Sequence, residues 1–342
     1  MSELQYGVQL GRKLLRYDLG TYRGRTTSIM EHCCSPSRTP PRRSETTSSD
    51  IRLGTQPDAR KYIELTGGDF LMGDPFDEGY RTDGERPVHR VEVAPFAIAP
   101  TTVTNEEFAE FVSDTGFVTD AEHFGSSAVF HLAVNAPVSD ILGRAPGAPW
   151  WIDVRGADWA HPGGSRSHWM EAGLGDHPVV HISWRDAVVY CSWAGGRLPT
   201  EAEWEFSARG GQKGRRYPWG DELTPDGEDR CNIWHGRFPE SNTLSDGFLT
   251  TAPVRSFPGN DFGLFEVAGN VWEWCADWFS PSYYRRSPRQ NPLGPRDGTS
   301  RVTRGGSYLC HHSYCNRYRL AARSANTPES STGNCGFRMV RQ

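Results

Sequence analysis

The chain contains no run of about eighteen apolar residues, the length a membrane-spanning helix requires, and its opening residues carry no apolar stretch of the kind that heads a secretory leader. A helical membrane protein is excluded, and a cytoplasmic location is the expectation. A basic stripe is also missing: with a net charge of −5 and a pI near 6.1, nucleic acid is not an expected partner. There is no D-x-[DN]-x-[DN]-G loop, so any calcium is not bound by an EF-hand. No C-x-x-C lies beside a βαβ pattern, which removes the usual thioredoxin-like couple. Long aliphatic segments are scarce, and the 37 glycines and 24 prolines with a mean hydropathy of −0.62 argue against a helical bundle or a doubly wound sheet.

What is present is aromatic and loop-rich. Twelve tryptophans in 342 residues point to a core filled by large rings instead of long aliphatic helices. Residues 1–57 mix basic patches with the run SPSRTPPRRSETTSSD, too polar to bury a core, and are expected to form a disordered tail ahead of a domain spanning 58–342. From Tyr62 onward, KYIEL, Gly67-Gly68 and DFLMG read as a hairpin, and HRVEVAPFAI continues the strand pattern. Thr104 with Glu107, Ser183 with Asp186 and Thr200 with Glu203 each have the spacing of a capping box and open three helices. PWWIDVRGADWAHPGG reads as a loop anchored by tryptophans. His177 and His181 form H-x3-H, but Pro178, Val179 and Val180 make the segment a strand, and the position two residues beyond His181 is Ser183, not a carboxylate. A metal reading of these histidines is therefore not adopted.

The densest chemistry lies from Arg304 to Arg338. Cys310 and Cys315 sit there among Ser307, Tyr308, His311, His312, Tyr314, Asn316 and the arginines at 317, 319 and 323. A structural buried cysteine keeps apolar company and is inert, so a thiol pair in polar and cationic surroundings points to chemistry. Spacing alone leaves a disulfide, half a zinc site, a redox couple and a two-thiolate site for a soft metal all open. Adjacent His311 and His312 are poor candidates to complete a tetrahedral zinc site, because consecutive side chains rarely aim at one centre. Cys231, Cys275 and Cys335 are read as small buried fillers.

The whole stretch GSYLCHHSYCNRYRLAARSANTP, followed by SSTGNCGFR, closely resembles the C-terminal signature of formylglycine-generating enzymes, and the similarity extends from about Tyr62 onward. SWRDAVVYCSWAGGRLPTEAEWEFSARGG resembles the wider sulfatase-modifying fold and speaks for fold more than for function. The resemblance implies a loop-rich, single-domain α+β arrangement with the formylglycine-generating enzyme (C-type-lectin-like) fold and little regular secondary structure. It implies a monomeric, copper-dependent oxidase of bacterial type that converts the cysteine of a C-x-P-x-R motif in unfolded or nascent sulfatases to Cα-formylglycine, using dioxygen and a thiol reductant.

Carried over residue by residue, the resemblance makes Cys310 and Cys315 the Cu(I) ligands, in keeping with the softness of two thiolates. Ser307 and Tyr314 become the hydroxyls that orient oxygen or water, and Trp272 a wall of a dry pocket. Two calcium sites are implied: the side chains of Asn232 and Asp246 with the carbonyls of Ile233 and Phe248, and the side chains of Glu266 and Glu273 with the carbonyls of Gly269 and Val271. Arg317 and Arg319 are expected to be structural or groove-lining. Where secreted animal relatives have two disulfides, this chain has Ala208 with Leu320 and Cys191 with Met339, which suits a reducing compartment. Within the tail, Cys34-Ser35-Pro36-Ser37-Arg38 fits the substrate pattern itself. The rivals are an inactive sulfatase-binding paralogue, expected to lose one of the copper cysteines, and another oxygenase on the same fold, expected to carry a histidine-rich iron domain; both cysteines are present and no such domain is.

Overall fold

The computed structural model describes residues 35–38 and 61–341. Strands β1 (Ile63–Leu65), β2 (Gly68–Met72), β3 (His89–Val93) and β4 (Phe96–Ile98) lead into helices α1 (Asn105–Thr115) and α2 (Asp120–Phe124). The expected β1–β2 hairpin does not form. β1 pairs antiparallel with β4, Ile63 opposite Ile98, while β2 pairs with β3, Gly68 opposite Val93. Gly67 and Gly68 do turn the chain, at φ 68° and 135°, but the turn serves a close crossing: a Cβ on Gly67 would lie 2.2 Å from the Val93 carbonyl oxygen. Alternation identified the strands and was silent about their partners.

Strands β5 (Ser126–Phe130), β6 (Ile141–Ala145) and β7 (Ala148–Arg155) form an antiparallel sheet in the order β5-β7-β6. The tryptophan-rich segment read as a loop is thus the central strand of that sheet, with Trp151 and Val154 fully buried. The H-x3-H segment departs in the other direction. It is not a strand but an extended loop touching Thr104 through one bridge at Pro178, because proline offers no N–H for a ladder and His181 turns the chain at φ 59°.

Helices α3 (Trp184–Trp193) and α4 (Glu201–Ala208) carry the capping boxes expected of Ser183–Asp186 and Thr200–Glu203, as α1 does for Thr104–Glu107. α2 carries a fourth, Thr119 with Glu122. Each box satisfies otherwise orphaned N–H groups at both ends of its reach, which makes short helices viable here. After the two-residue strands β8 (Gly236–Arg237) and β9 (Ser241–Asn242), β10 (Trp272–Trp278), β11 (Arg301–Arg304), β12 (Arg323–Asn326) and β13 (Cys335–Gly336) form a sheet in the order β12-β11-β10-β13. β14 (Val340–Arg341) returns to β4.

Trp151, Trp204, Trp234, Trp272 and Trp274 are fully buried, each contributing on the order of 1.5–3 kcal/mol or more through burial of its ring. Loops that have few ladders are held instead by buried ion pairs. Arg304 bridges Glu201 and Glu205, Arg323 grips Glu201, and Arg338 forks onto Glu273. Arg317 and Arg319 pair with Asp83 and Glu85, so both are structural as expected. Of the positions expected in place of two disulfides, Cys191 and Met339 belong to one buried apolar cluster, and Ala208 and Leu320 to another.

Candidate active site

The site is built where β11 gives way to the thiol loop. Gly305 and Gly306 have φ of 94° and 78°, and a Cβ on Gly306 would sit 2.7 Å from the Arg317 carbonyl oxygen, so the chain turns back against itself only with glycine there. The Cys310 N–H then donates to the Ser307 carbonyl at 2.8 Å. The His311 carbonyl accepts the N–H groups of Tyr314, Cys315 and Asn316, at 2.9, 3.0 and 3.2 Å. Those bonds fold the four intervening residues into a tight loop. Both thiols enter one apolar cluster with Trp272, Trp274 and Phe337, at 1 % exposure for Cys310 and 0 % for Cys315.

Ser307 is fully buried, and its N–H points at Cys310 Sγ from 3.4 Å. Its Oγ accepts from Asn334 Nδ2 at 2.9 Å. Asn334 escaped the reading of the sequence, although it stands in SSTGNCGFR: its Oδ1 accepts from Thr332 Oγ1 at 2.8 Å, and its carbonyl accepts the Trp272 N–H at 2.9 Å. One residue thus ties Ser307, the β10 strand and the chain before β13 together. Trp272 packs in the cluster of the two thiols, its Nε1 buried with no hydrogen-bond partner among the described residues. Tyr314 is half-buried at the rim, its ring stacked on Phe238 at 4.1 Å and edge-on to Trp150 at 5.2 Å.

The other cysteines behave as fillers: burial pushes the thiols of Cys231, Cys275 and Cys335 above their ordinary range. His181 is fully buried, bonded to Ser127 Oγ and the Pro162 carbonyl, and burial lowers its pKa to about 4, so it is a neutral structural imidazole.

The first predicted calcium set is assembled in part by its own hydrogen bonds. Asp246 is buried and accepts the N–H groups of Ile233 and Phe248, both at 3.1 Å. Asn232 is buried with Oδ1 lacking a hydrogen-bond partner among the described residues, an oxygen suited to a hard cation. In the second set Glu266 accepts from the N–H groups of Arg255 and Phe257. Glu273 takes Trp204 Nε1 and Arg338 Nε on Oε2, and Arg338 Nη2 on Oε1. A carboxylate has about four lone-pair sites, so Oε1 of Glu273 and both oxygens of Glu266 retain acceptor capacity. No cluster of three or more His, Cys, Asp or Glu side chains suited to a metal exists among the described residues; both calcium sets lean on carbonyls, and the thiol pair has only two such residues.

Of the tail, residues 35–38 are described, and they lie against the domain beside this site. Ser35 Oγ donates to Asn334 Oδ1 at 3.3 Å, and Arg38 Nη2 donates to the Ser126 carbonyl at 2.7 Å. Cys34 and the rest of the expected tail lie outside the described residues.

Comparison with known proteins agrees with this architecture. Residues 48–342 match the family of the sulfatase-modifying factor enzyme 1-like domain. A formylglycine-generating enzyme of Streptomyces coelicolor is 65 % identical over 279 residues, 82 % of this chain and 88 % of that protein. One from Thermomonospora curvata is 53 % identical over 292 residues, covering 84 % and 95 %. The structure of PvdO from Pseudomonas aeruginosa superposes with a TM-score of 0.61 at 24 % identity, over 83 % of this chain and 94 % of that one, a likeness of fold alone. The chain belongs to the sulfatase-modifying factor family, among the formylglycine-generating enzymes of bacterial type.

Proposed function

We propose that this protein oxidises the cysteine of a C-x-P-x-R segment in a sulfatase polypeptide to Cα-formylglycine, with dioxygen as oxidant and a thiol as reductant. The observation that carries the reading is the burial of Cys310 and Cys315 in one cluster, next to a Ser307 whose N–H faces a thiol. The reaction balances as R–CH2–SH with O2 and two hydrogen atoms from the reductant giving R–CHO, H2S and H2O. The Cβ–S bond breaks, and the carbonyl oxygen replaces sulfur.

Cys310 and Cys315 would hold Cu(I), whose preference for soft ligands two thiolates meet. When bound, it supplies oxygen activation and an open position for the substrate sulfur. The protein's own contribution is containment. Trp272 and Phe337 pack in the cluster that holds the thiols, and the Asn334 amide and the Leu309 N–H both donate to Ser307 Oγ, leaving its O–H to donate. Tyr314, held by Phe238 and Trp150, would supply its hydroxyl to orient oxygen or water. The calcium ions of the two carbonyl-rich sets crosslink loops and take no part in the chemistry. The protein acts as a monomer in the cytoplasm in this reading; no described helix is long and apolar enough to cross a membrane.

The test is a C-x-P-x-R peptide incubated with protein, copper, a thiol and air, followed by mass spectrometry for aldehyde in place of thiol. Wild type should convert it. Cys310→Ser and Cys315→Ser should stay folded, fail to convert it, and lose tight Cu(I) binding in a chelator competition. Conversion by either variant, or wild-type copper affinity in either, would rule out the two-thiolate assignment.

A further inference from the structure

Four residues far from the domain in sequence are held by it through contacts on every one of them. The Pro36 carbonyl accepts from Asn326 Nδ2 at 3.2 Å, and Ser37 Oγ donates to Asn326 Oδ1 at 2.8 Å. The Arg38 N–H donates to Ser330 Oγ at 2.8 Å, and its carbonyl accepts from Thr327 Oγ1 at 3.0 Å. The guanidinium donates to the Ser126 carbonyl and lies over the Phe124 ring at 4.4 Å. Its burial costs solvation, which pulls its pKa below the ordinary range, and the negative charges of Asp153 and Asp120 offset only part of that cost. Main-chain bonds supply affinity and the arginine pocket supplies selectivity, the logic by which proteins capture short extended peptides.

The contacts also give the segment a direction. Its Arg38 end rests on β5 and α2, and its Ser35 end on Asn334. Asn334 donates to Ser307, and the Ser307 N–H faces Cys310. The end nearest the thiol pair is therefore the Ser35 end, the side on which Cys34 precedes the segment in the sequence.

We propose that the groove formed by Ser126, Asn326, Thr327, Ser330 and Asn334 is occupied in the resting protein by its own Ser35–Arg38, so that this segment is an intramolecular competitor of polypeptide substrates. The nature of those substrates rests on the function proposed above; the seating of the segment does not. Covalent attachment makes the competitor effective even when its intrinsic affinity is weak, because short tethers give local concentrations on the order of millimolar. A substrate polypeptide must displace the segment before it can present its cysteine.

Binding tests this without turnover. The probe is a fluorescein-labelled peptide of residues 32–40 with serine in place of both cysteines, titrated against the full chain and read by anisotropy. Arg38→Glu in the protein sets a carboxylate opposite the Ser126 carbonyl, Asp120 and Asp153, and should eject the segment. That variant should bind the probe on the order of tenfold more tightly than wild type, by the loss of a tethered competitor. Asn326→Ala combined with Arg38→Glu should weaken probe binding again, which places the probe in this groove. Equal affinity of wild type and Arg38→Glu overturns the proposal, as does probe binding indifferent to Asn326→Ala. If these affinities shift as expected and no aldehyde forms in the peptide assay, the docking stands and the proposed oxidation falls; if aldehyde forms and the affinities do not shift, the oxidation stands and the docking falls.

Discussion

Asn334 Nδ2 donates to Ser307 Oγ at 2.9 Å, and both residues are fully buried. Ser307 in turn flanks Cys310, while the other face of the Asn334 amide meets Thr332 and Ser35. The residue therefore positions one side of the thiol loop without touching sulfur. Asn334→Ala should cost about 1–3 kcal/mol of stability, the usual penalty for stranding a buried polar partner. Asn334→Asp keeps the acceptor oxygen and replaces the donor to Ser307 with a second oxygen, which is charged once the carboxyl ionises. A positioning role predicts that the Asp variant, measured on its folded fraction, loses kcat on a C-x-P-x-R peptide by roughly tenfold with a smaller change in KM, and that the loss eases as pH falls and the carboxyl regains a donor. Unchanged kcat at every pH would reduce Asn334 to a structural tie.

Asp246 is the buried carboxylate of the first proposed calcium set, and Asn232 presents its orphaned oxygen in the same set. If a cation crosslinks these loops, it stabilises the folded chain by RT ln(1 + [L]/Kd), about 2.7 kcal/mol at a hundredfold excess over Kd. Added calcium should raise Tm, a chelator should lower it, and Asp246→Ala should abolish the difference. Elemental analysis of the purified protein supplies the count of bound ions. A chelator-insensitive Tm together with no calcium in the protein would defeat the crosslinking role.

Burial and the neighbouring Glu201 raise Asp277 to about 8, against the opposing bond from the Glu201 N–H and the charge of Arg323. Its folded pKa lies above the unfolded value of about 3.9, so the folded state retains a proton that the unfolded chain releases. The stabilisation is complete below about pH 4 and is lost as pH rises through about 8. Glu85, raised to about 7, and Asp186, raised to about 8, act in the same direction, so the contribution of Asp277 is read by difference. Asp277→Asn keeps an oxygen for the Glu201 N–H and removes the proton. The gap in Tm between the variant and wild type should shift in favour of the variant between pH values of about 5 and 8. Parallel curves would show that Asp277 is ionised in the folded protein.

What the sequence settled is what neighbouring residues settle among themselves. The boxes Thr104–Glu107, Ser183–Asp186 and Thr200–Glu203 form because donor and acceptor lie three residues apart and need no distant partner. Thr119–Glu122 carries the same signal, but its helix is only five residues long and leaves no apolar periodicity to draw attention to the box. The signature around Cys310 and Cys315 identified the family, since its spacing and composition are read directly from the chain. Tertiary structure decided the rest. The β1–β2 hairpin yielded to pairings with β4 and β3, because register depends on which apolar faces meet in the core. PWWIDVR became a central strand for the same reason, whereas the H-x3-H segment is a loop because Pro178 has no N–H for a ladder and His181 turns the chain at φ 59°. The row of arginines is plain in the sequence, but its partners Asp83 and Glu85 lie 234 residues away, and only burial makes such pairs obligatory. The meeting of Asn334 with Ser307, and of Ser35–Arg38 with the groove, likewise exists only once the core has brought distant segments together: each such contact is too weak to order the chain alone, and becomes specific where the fold has already met the entropy cost of closing the loops between them.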